Sequence, residues 1–187
     1  MTQQKFVIIS ISLVSIILFL WMAMMRYQLG LVRYFDPDEF MYPHWAHNLF
    51  SGQIPYHDFF IFVTPGYLFF LAPLFLLGQG IVPVILARTT AWGVSVFLAF
   101  LLGAIYWNMR KSWVAILVPI LFFLLPVPSD KLLEIRPDTL ATLLAMLGLL
   151  FQLRALASRP GLEATAEKRK LFLSGLCYGA SLLVLQK

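Results

Sequence analysis

Charge is scarce in this chain of 187 residues: Asp, Glu, Lys and Arg make up only 12% of it, while 60% of residues are hydrophobic. A soluble domain of this size cannot cover so much apolar surface with polar groups, so the sequence is read as an integral membrane protein. Cysteine is almost absent. Cys177 stands alone inside an apolar run, which excludes an internal disulfide and says nothing of redox compartment. Glycine-rich nucleotide loops, Walker motifs, Cys-x-x-Cys pairs and serine-nucleophile motifs are all missing. No soluble domain, internal repeat or low-complexity tract stands out. The net charge of +5 comes from 14 Lys and Arg against 9 Asp and Glu. It does not point to nucleic acid, because the basic residues lie mostly between hydrophobic segments, where they orient helices in a membrane.

What is there is a series of apolar stretches. Residues 6–25 carry no charge, are flanked by Lys5 and Arg26, and span about 30 Å as a helix. The run is too long for a secretory signal core and no small-x-small cleavage site follows, so a retained anchor is expected. Further stretches cover 59–77, 81–106, 113–127, 139–153 and 171–185, and Pro65, Gly66 and Pro73 interrupt the first of these. If 59–77 crossed, both Arg110-Lys111 and the basic connection 154–170 would lie opposite Lys5, against the positive-inside rule. The expected fold is therefore an all-α integral membrane domain over 1–187 with five transmembrane helices. An external loop, 34–80, would hold an amphipathic juxtamembrane helix and an interfacial or re-entrant segment.

That topology gathers Asp36, Asp38, Glu39, His57, Asp58, Glu134, Arg136, Asp138 and Lys187 on one face, with Arg88 about two turns inside it. Asp36-Pro37-Asp38-Glu39 directly follows the first span, where carboxylates are expensive unless water, a cation or a substrate answers them. After them, Met41, Trp45 and Leu49, beside Tyr42, Ala46 and Phe50, give one apolar helix face. His44, His47, Asn48 and Ser51 fall away from it. Asp38 is the expected N-cap and Gly52 the expected stop. Such a helix lies flat on the bilayer and holds its acids at headgroup level, where a lipid-linked substrate presents its phosphate.

Asp36-Pro37-Asp38-Glu39-Phe40, then Gly52-Gln53-Ile54-Pro55-Tyr56-His57-Asp58-Phe59-Phe60 and Thr64-Pro65-Gly66, resembles the first external loop of the fold-C glycosyltransferases. The group resembled is that of the protein O-mannosyltransferases and aminoarabinose transferases. Arg88 opening a helix, Glu134-Ile135-Arg136-Pro137-Asp138 opening another, and Gln186-Lys187 ending a glycine-rich helix fit the same pattern. The resemblance implies a polyprenyl-phosphate sugar as donor, a glycan, lipid or protein as acceptor, and transfer on the outer face of a bacterial inner membrane. It implies an acidic loop residue as base, here Asp38 with Glu39 or Asp36 in support. It also implies cations for the donor phosphate, here Arg88, Arg136 and Lys187, with His57, Asp58 and Asp138 as further site residues. Relatives are several hundred residues long, so the chain is expected to be the N-terminal part of a longer enzyme. Where many relatives carry a histidine before the proline, this chain has Thr64.

Plainer readings stand beside each of these. Asp38 and Glu39 serve equally as helix cap and dipole partner. Arg88 can pair with Asp138, and Asp138 with Thr139 opens a helix as a cap would. No cofactor is implied, although Asp-x-Asp-Glu with the histidines has oxygen ligands suited to a divalent cation. The aromatic run Phe59, Phe60, Phe62, Tyr67, Phe69 and Phe70 is an interfacial anchor or a prenyl groove. Two other functions stay open: a non-catalytic membrane scaffold, and a small transporter or lipid flippase with charges near mid-membrane.

Overall fold

The computed structural model describes residues 3–125, 133–157 and 164–185, and among them every regular element is helical. The elements are α1 (Gln3–Val32), α2 (Pro37–Phe50), α3 (Gly66–Leu71), α4 (Val82–Arg110), α5 (Val118–Leu124), α6 (Pro137–Leu156) and α7 (Ala164–Val184). Short 3-10 segments, Ala72–Leu76 and Trp113–Leu117, precede α4 and α5. Three helices are long and apolar enough to cross a membrane: Ile9–Val32, Val82–Arg110 and Pro137–Leu156. The first runs on through Arg26, where the sequence had suggested an end.

Of the other apolar stretches, 59–77, which is not expected to cross, and 113–127, which is, form only short helices, while 171–184 is helical throughout. Stretch 59–77 forms α3 and a 3-10 segment, about 19 Å end to end, well short of the ~30 Å hydrocarbon layer. Stretch 113–127 begins with Trp113–Leu117 as a 3-10 segment, and α5 adds only seven residues. In α7 the first turns carry Glu167, Lys168, Arg169 and Lys170, leaving about 21 Å of apolar helix.

α1 and α4 run antiparallel. Trp92 Nε1 donates to the Ala23 carbonyl at 3.0 Å, the Tyr27 and Thr89 hydroxyls meet at 3.1 Å, and the Phe19 and Phe100 rings pack edge-on at 4.8 Å. Met22, Ala99, Ile120, Phe123 and Leu133 complete this core. The outer face of α1 stays bare, with Leu13, Ile17 and Leu20 each 59% exposed, as suits a lipid-facing surface. α6 and α7 form a second antiparallel pair, in which Ser174 and Ser181 donate to the carbonyls of Gly148 and Ala141, both at 2.8 Å. Gly148 allows this close approach, since a Cβ would come within 3.2 Å of the Ser174 carbonyl and the Tyr178 ring.

A second core lies beyond the end of α1. It joins Tyr42, Trp45 and Ala46 of α2, Tyr67 and Leu68 of α3, Ala87 of α4, Ala141 of α6 and Val184 of α7. The chain thus leaves this end in α4, is back at it by Ile135, leaves again in α6, and returns in α7. The buried stripe of α2 keeps Tyr42, Trp45 and Ala46 of the predicted face and adds Glu39 and Pro43, while Phe50, expected on that face, is exposed, as are His44 and His47. Gly52 adopts φ +86 just past the Ser51 cap, a conformation open to glycine at little cost.

Candidate functional site

The chain leaves α1 at Val32 and enters α2 five residues later, and Pro37 decides how. A residue before proline is held extended, which is the N-cap conformation, and Asp36 sits at φ −74, ψ 144. Proline is accepted at the first helical position because its missing N–H would have no partner anyway. The cap is therefore Asp36 and not Asp38. Its Oδ1 accepts from the Asp38 amide at 3.1 Å, and Glu39 Oε2 accepts from the Asp36 amide at 3.1 Å, closing a capping box.

Glu39 then points inward, where it is fully buried, and meets Arg88. Arg88 donates from Nε to Oε1 at 2.9 Å and from Nη2 to Oε2 at 2.7 Å. Its remaining N–H groups go to the carbonyls of Gly30 at 2.9 Å, Arg33 at 3.1 Å and Tyr34 at 3.1 Å. Those are the last carbonyls of α1 and of the turn after it, which lack partners within the helix. The Phe35 ring covers the guanidinium at 3.7 Å. One side chain thus caps α1 and fixes the first turn of α2. All five N–H groups of Arg88 are taken, leaving none for a phosphate oxygen, and its carboxylate partner is Glu39 rather than Asp138. Glu39 also accepts from the Ile135 amide at 3.4 Å, so it is a buried anchor with no surface toward a substrate.

The second set of charges is half open. Arg136 places Nη2 at 3.1 Å from Asp38 Oδ2 and 3.7 Å from Asp36 Oδ2. Its Nε lies 2.8 Å from Oε2 of Glu134, an ionic contact off the hydrogen-bond direction. Glu134 is buried, and its Oε1 accepts from Arg33 at 2.7 Å. The side chains of Asp38, Arg136, Asp36 and Arg33 are 48%, 30%, 27% and 27% exposed. Asp38 does not cap α2, and its carboxylate stands between Arg136 and water.

The structure thus brings Asp36, Asp38, Glu39, Arg88, Glu134 and Arg136 together, and adds Arg33 to them. Arg33 went unnoticed in the sequence because a cation ending an apolar helix usually marks only the membrane boundary. Asp138 lies in the first turn of α6 beside this group, but the N-cap of that helix is Arg136. Burial, with the charges of Asp138 and Asp38 nearby, pushes the Tyr42 hydroxyl above its ordinary range. Tyr67, packed edge-on against Tyr42 at 5.4 Å, is pushed up by burial as well. These tyrosines form the apolar floor under the charged groups.

His57 and Asp58 belong to a different feature. His57 Nδ1 lies 2.6 Å from Asp58 Oδ1, and Asp58 Oδ2 accepts from the Ile54 amide at 2.7 Å. The bond from Ile54, then that from His57, hold the Asp58 carboxyl below its ordinary range. The pair closes the exposed turn 54–58. Among the described residues no three His, Cys, Asp or Glu side chains are gathered as a metal ion requires. His44 and His47 instead border a groove of about 750 Å³ on the far side of α2, walled by Phe40, Phe50 and Phe75. Thr64 Oγ1 is buried with no hydrogen-bond partner, at the position where the resembled family often has histidine. Lys187 lies outside the described residues.

Chemically, the half-open group offers one carboxylate able to take a proton and one guanidinium able to face an anion, side by side. No family model, no curated protein and no solved structure matches the chain.

Proposed function

We propose that the protein acts as a membrane glycosyltransferase, moving a sugar from a polyprenyl-phosphate-linked donor to an acceptor hydroxyl on the outer face of a bacterial plasma membrane. What carries the reading is the pairing of Asp38 with Arg136 at 3.1 Å, both partly exposed, at one end of the long apolar helices. In this assignment Asp38 is the general base and Asp36 its neighbour, while Arg136, aided by Arg33, faces the donor phosphate. Glu39 and Arg88 hold the frame. As the bond from the anomeric carbon to phosphate breaks, negative charge grows on the phosphate, and a fixed guanidinium stabilises it. The fold-C resemblance supplies the substrate class.

We further propose five membrane crossings, by α1, α4, the segment through α5, α6 and α7, with α2 and α3 at the outer interface. The repeated return of the chain to the end that holds Ile135 and Val184 supports that count. It also keeps residues 34–80 together as one external loop on a single membrane domain. The test supplies purified protein in proteoliposomes with a radiolabelled polyprenyl-phosphate hexose and a soluble glycan acceptor. Donor consumption above empty vesicles is expected, with none from a nucleotide sugar. No consumption across mannosyl, glucosyl and pentosyl donors would overturn the reading.

One observation favours a scaffold instead. Arg33, Arg88 and Arg136 all meet carboxylates already, as in an ion-pair network that serves only to hold helices together.

A further inference from the structure

We propose that Arg136 is an exchangeable latch: at rest it holds Asp38, and the donor phosphate takes the place of Asp38, so that donor binding frees the base. The inference rests on the glycosyltransfer reading and concerns the order in which that site works.

The two sides of the Arg136 guanidinium are held differently. Its Nε edge lies 2.8 Å from the buried Glu134, an ionic contact on the side away from water. Its Nη2 is shared between Asp38 at 3.1 Å and Asp36 at 3.7 Å, on the exposed side. Of these two carboxylates only Asp38 can leave. Asp36 is the N-cap and is tied to the Asp38 amide, whereas the Asp38 side chain takes no part in the capping box and is 48% exposed. Moving it into water sacrifices one surface ion pair, a small loss.

Charge requires such an exchange. Arg33 and Arg136 bring two positive charges, and Asp36, Asp38 and Glu134 bring three negative ones, a balance of −1 before Asp138 is counted. An arriving phosphate meets a site with no excess of positive charge, and it binds by displacing a carboxylate rather than by adding to the group. Asp38 also needs the exchange. While its Oδ2 lies 3.1 Å from Arg136, that oxygen is engaged by a cation instead of being offered to an acceptor proton.

Once the phosphate holds Arg136, the transfer balances without another reactant. The acceptor oxygen forms its bond to the anomeric carbon and gives its proton to Asp38. The bond from that carbon to the phosphate oxygen breaks, its electron pair stays on the polyprenyl phosphate, and the added negative charge falls beside Arg136. Donor therefore binds before acceptor.

The experiment measures binding of farnesyl phosphate, with farnesol as the neutral control, to wild type, Asp38→Asn and Arg136→Gln in nanodiscs. Removing the competing carboxylate is expected to tighten farnesyl phosphate binding about fivefold to tenfold, and Arg136→Gln to weaken it more than about tenfold. Farnesol binding stays the same in all three. If wild type prefers farnesyl phosphate to farnesol yet Asp38→Asn binds it no better, the latch is wrong and the phosphate site stands. If neither protein prefers the phosphate, both the latch and the donor reading fall. Should Asp38→Asn not insert, Asp38→Ser carries the same expectation.

Discussion

Two arginine–carboxylate pairs lie at the same end of this protein and differ in nearly every physical respect. Arg88 and Glu39 are 2% and 0% exposed, meet through two hydrogen bonds, and have their remaining capacity filled by backbone groups of α1, α2 and Ile135. Arg136 and Asp38 are 30% and 48% exposed and meet through one nitrogen, which Asp36 also shares. A pair of the first kind stabilises geometry, because breaking it strands a charge away from water. A pair of the second kind separates at little cost, so it is the one that can take part in chemistry. Adjacent in sequence, Asp38 and Glu39 fall on different sides of α2 and so into different roles.

That contrast can be broken most severely at the closed pair. Glu39→Gln or Arg88→Met is expected to lose about 3–5 kcal/mol of stability, because each leaves a buried partner uncompensated. Denaturant or thermal unfolding in detergent measures it. The double variant Arg88→Met, Glu39→Leu recovers much of that loss, as replacement of a buried pair by apolar groups often does. The capping box gives a middle case: Asp36→Ala costs about 1 kcal/mol through the lost cap, and hydrogen exchange at the Asp38 amide rises with it. At the open pair, Asp38→Asn changes stability by less than about 1 kcal/mol. Smallest of all is an effect at the exposed turn 54–58. Asp58 is held below the ordinary aspartate value of 3.8, so its contribution is present above that pH and fades as the pH falls through the lower folded-state value. The protection factor of the Ile54 amide, its exchange compared with an unstructured peptide at the same pH, is expected to hold from pH 6 downward and to fall only below that value, and Asp58→Asn removes the dependence.

Much of this was legible in the residues. Composition gave a helical membrane protein, and the spacing of Tyr42, Trp45 and Ala46 gave the buried face of α2, with Gly52 as its stop. Charge bias placed 36–39, Arg88 and 134–138 on one expected face, and the structure brings them together with Arg88 on Glu39 rather than on Asp138. The capping box was also written in Asp36-Pro37-Asp38-Glu39, but attention to Asp38 as N-cap passed over the proline that moves the cap two residues upstream. What no local pattern contains is which carboxylate an arginine meets. Arg88 finds Glu39 only because α2 folds back across the end of α1, and Glu134 joins Arg33 to Arg136 through contacts between distant parts of the chain. Helix lengths depart from the apolar runs in both directions for a similar reason: α1, α4 and α6 run past theirs, while 113–127 is broken. An apolar run fixes the solvent of a segment, but the pattern of 3-10 turns at Ala72–Leu76 and Trp113–Leu117 depends on packing and on prolines.

The most direct test of the division between the two pairs is the Asp38→Asn protein, assayed for consumption of the radiolabelled polyprenyl-phosphate hexose beside wild type in matched proteoliposomes. Its melting temperature is expected to stay within a few degrees of wild type while turnover falls by more than about a thousandfold. Turnover retained in a protein of unchanged stability would contradict the assignment of the open carboxylate as the base.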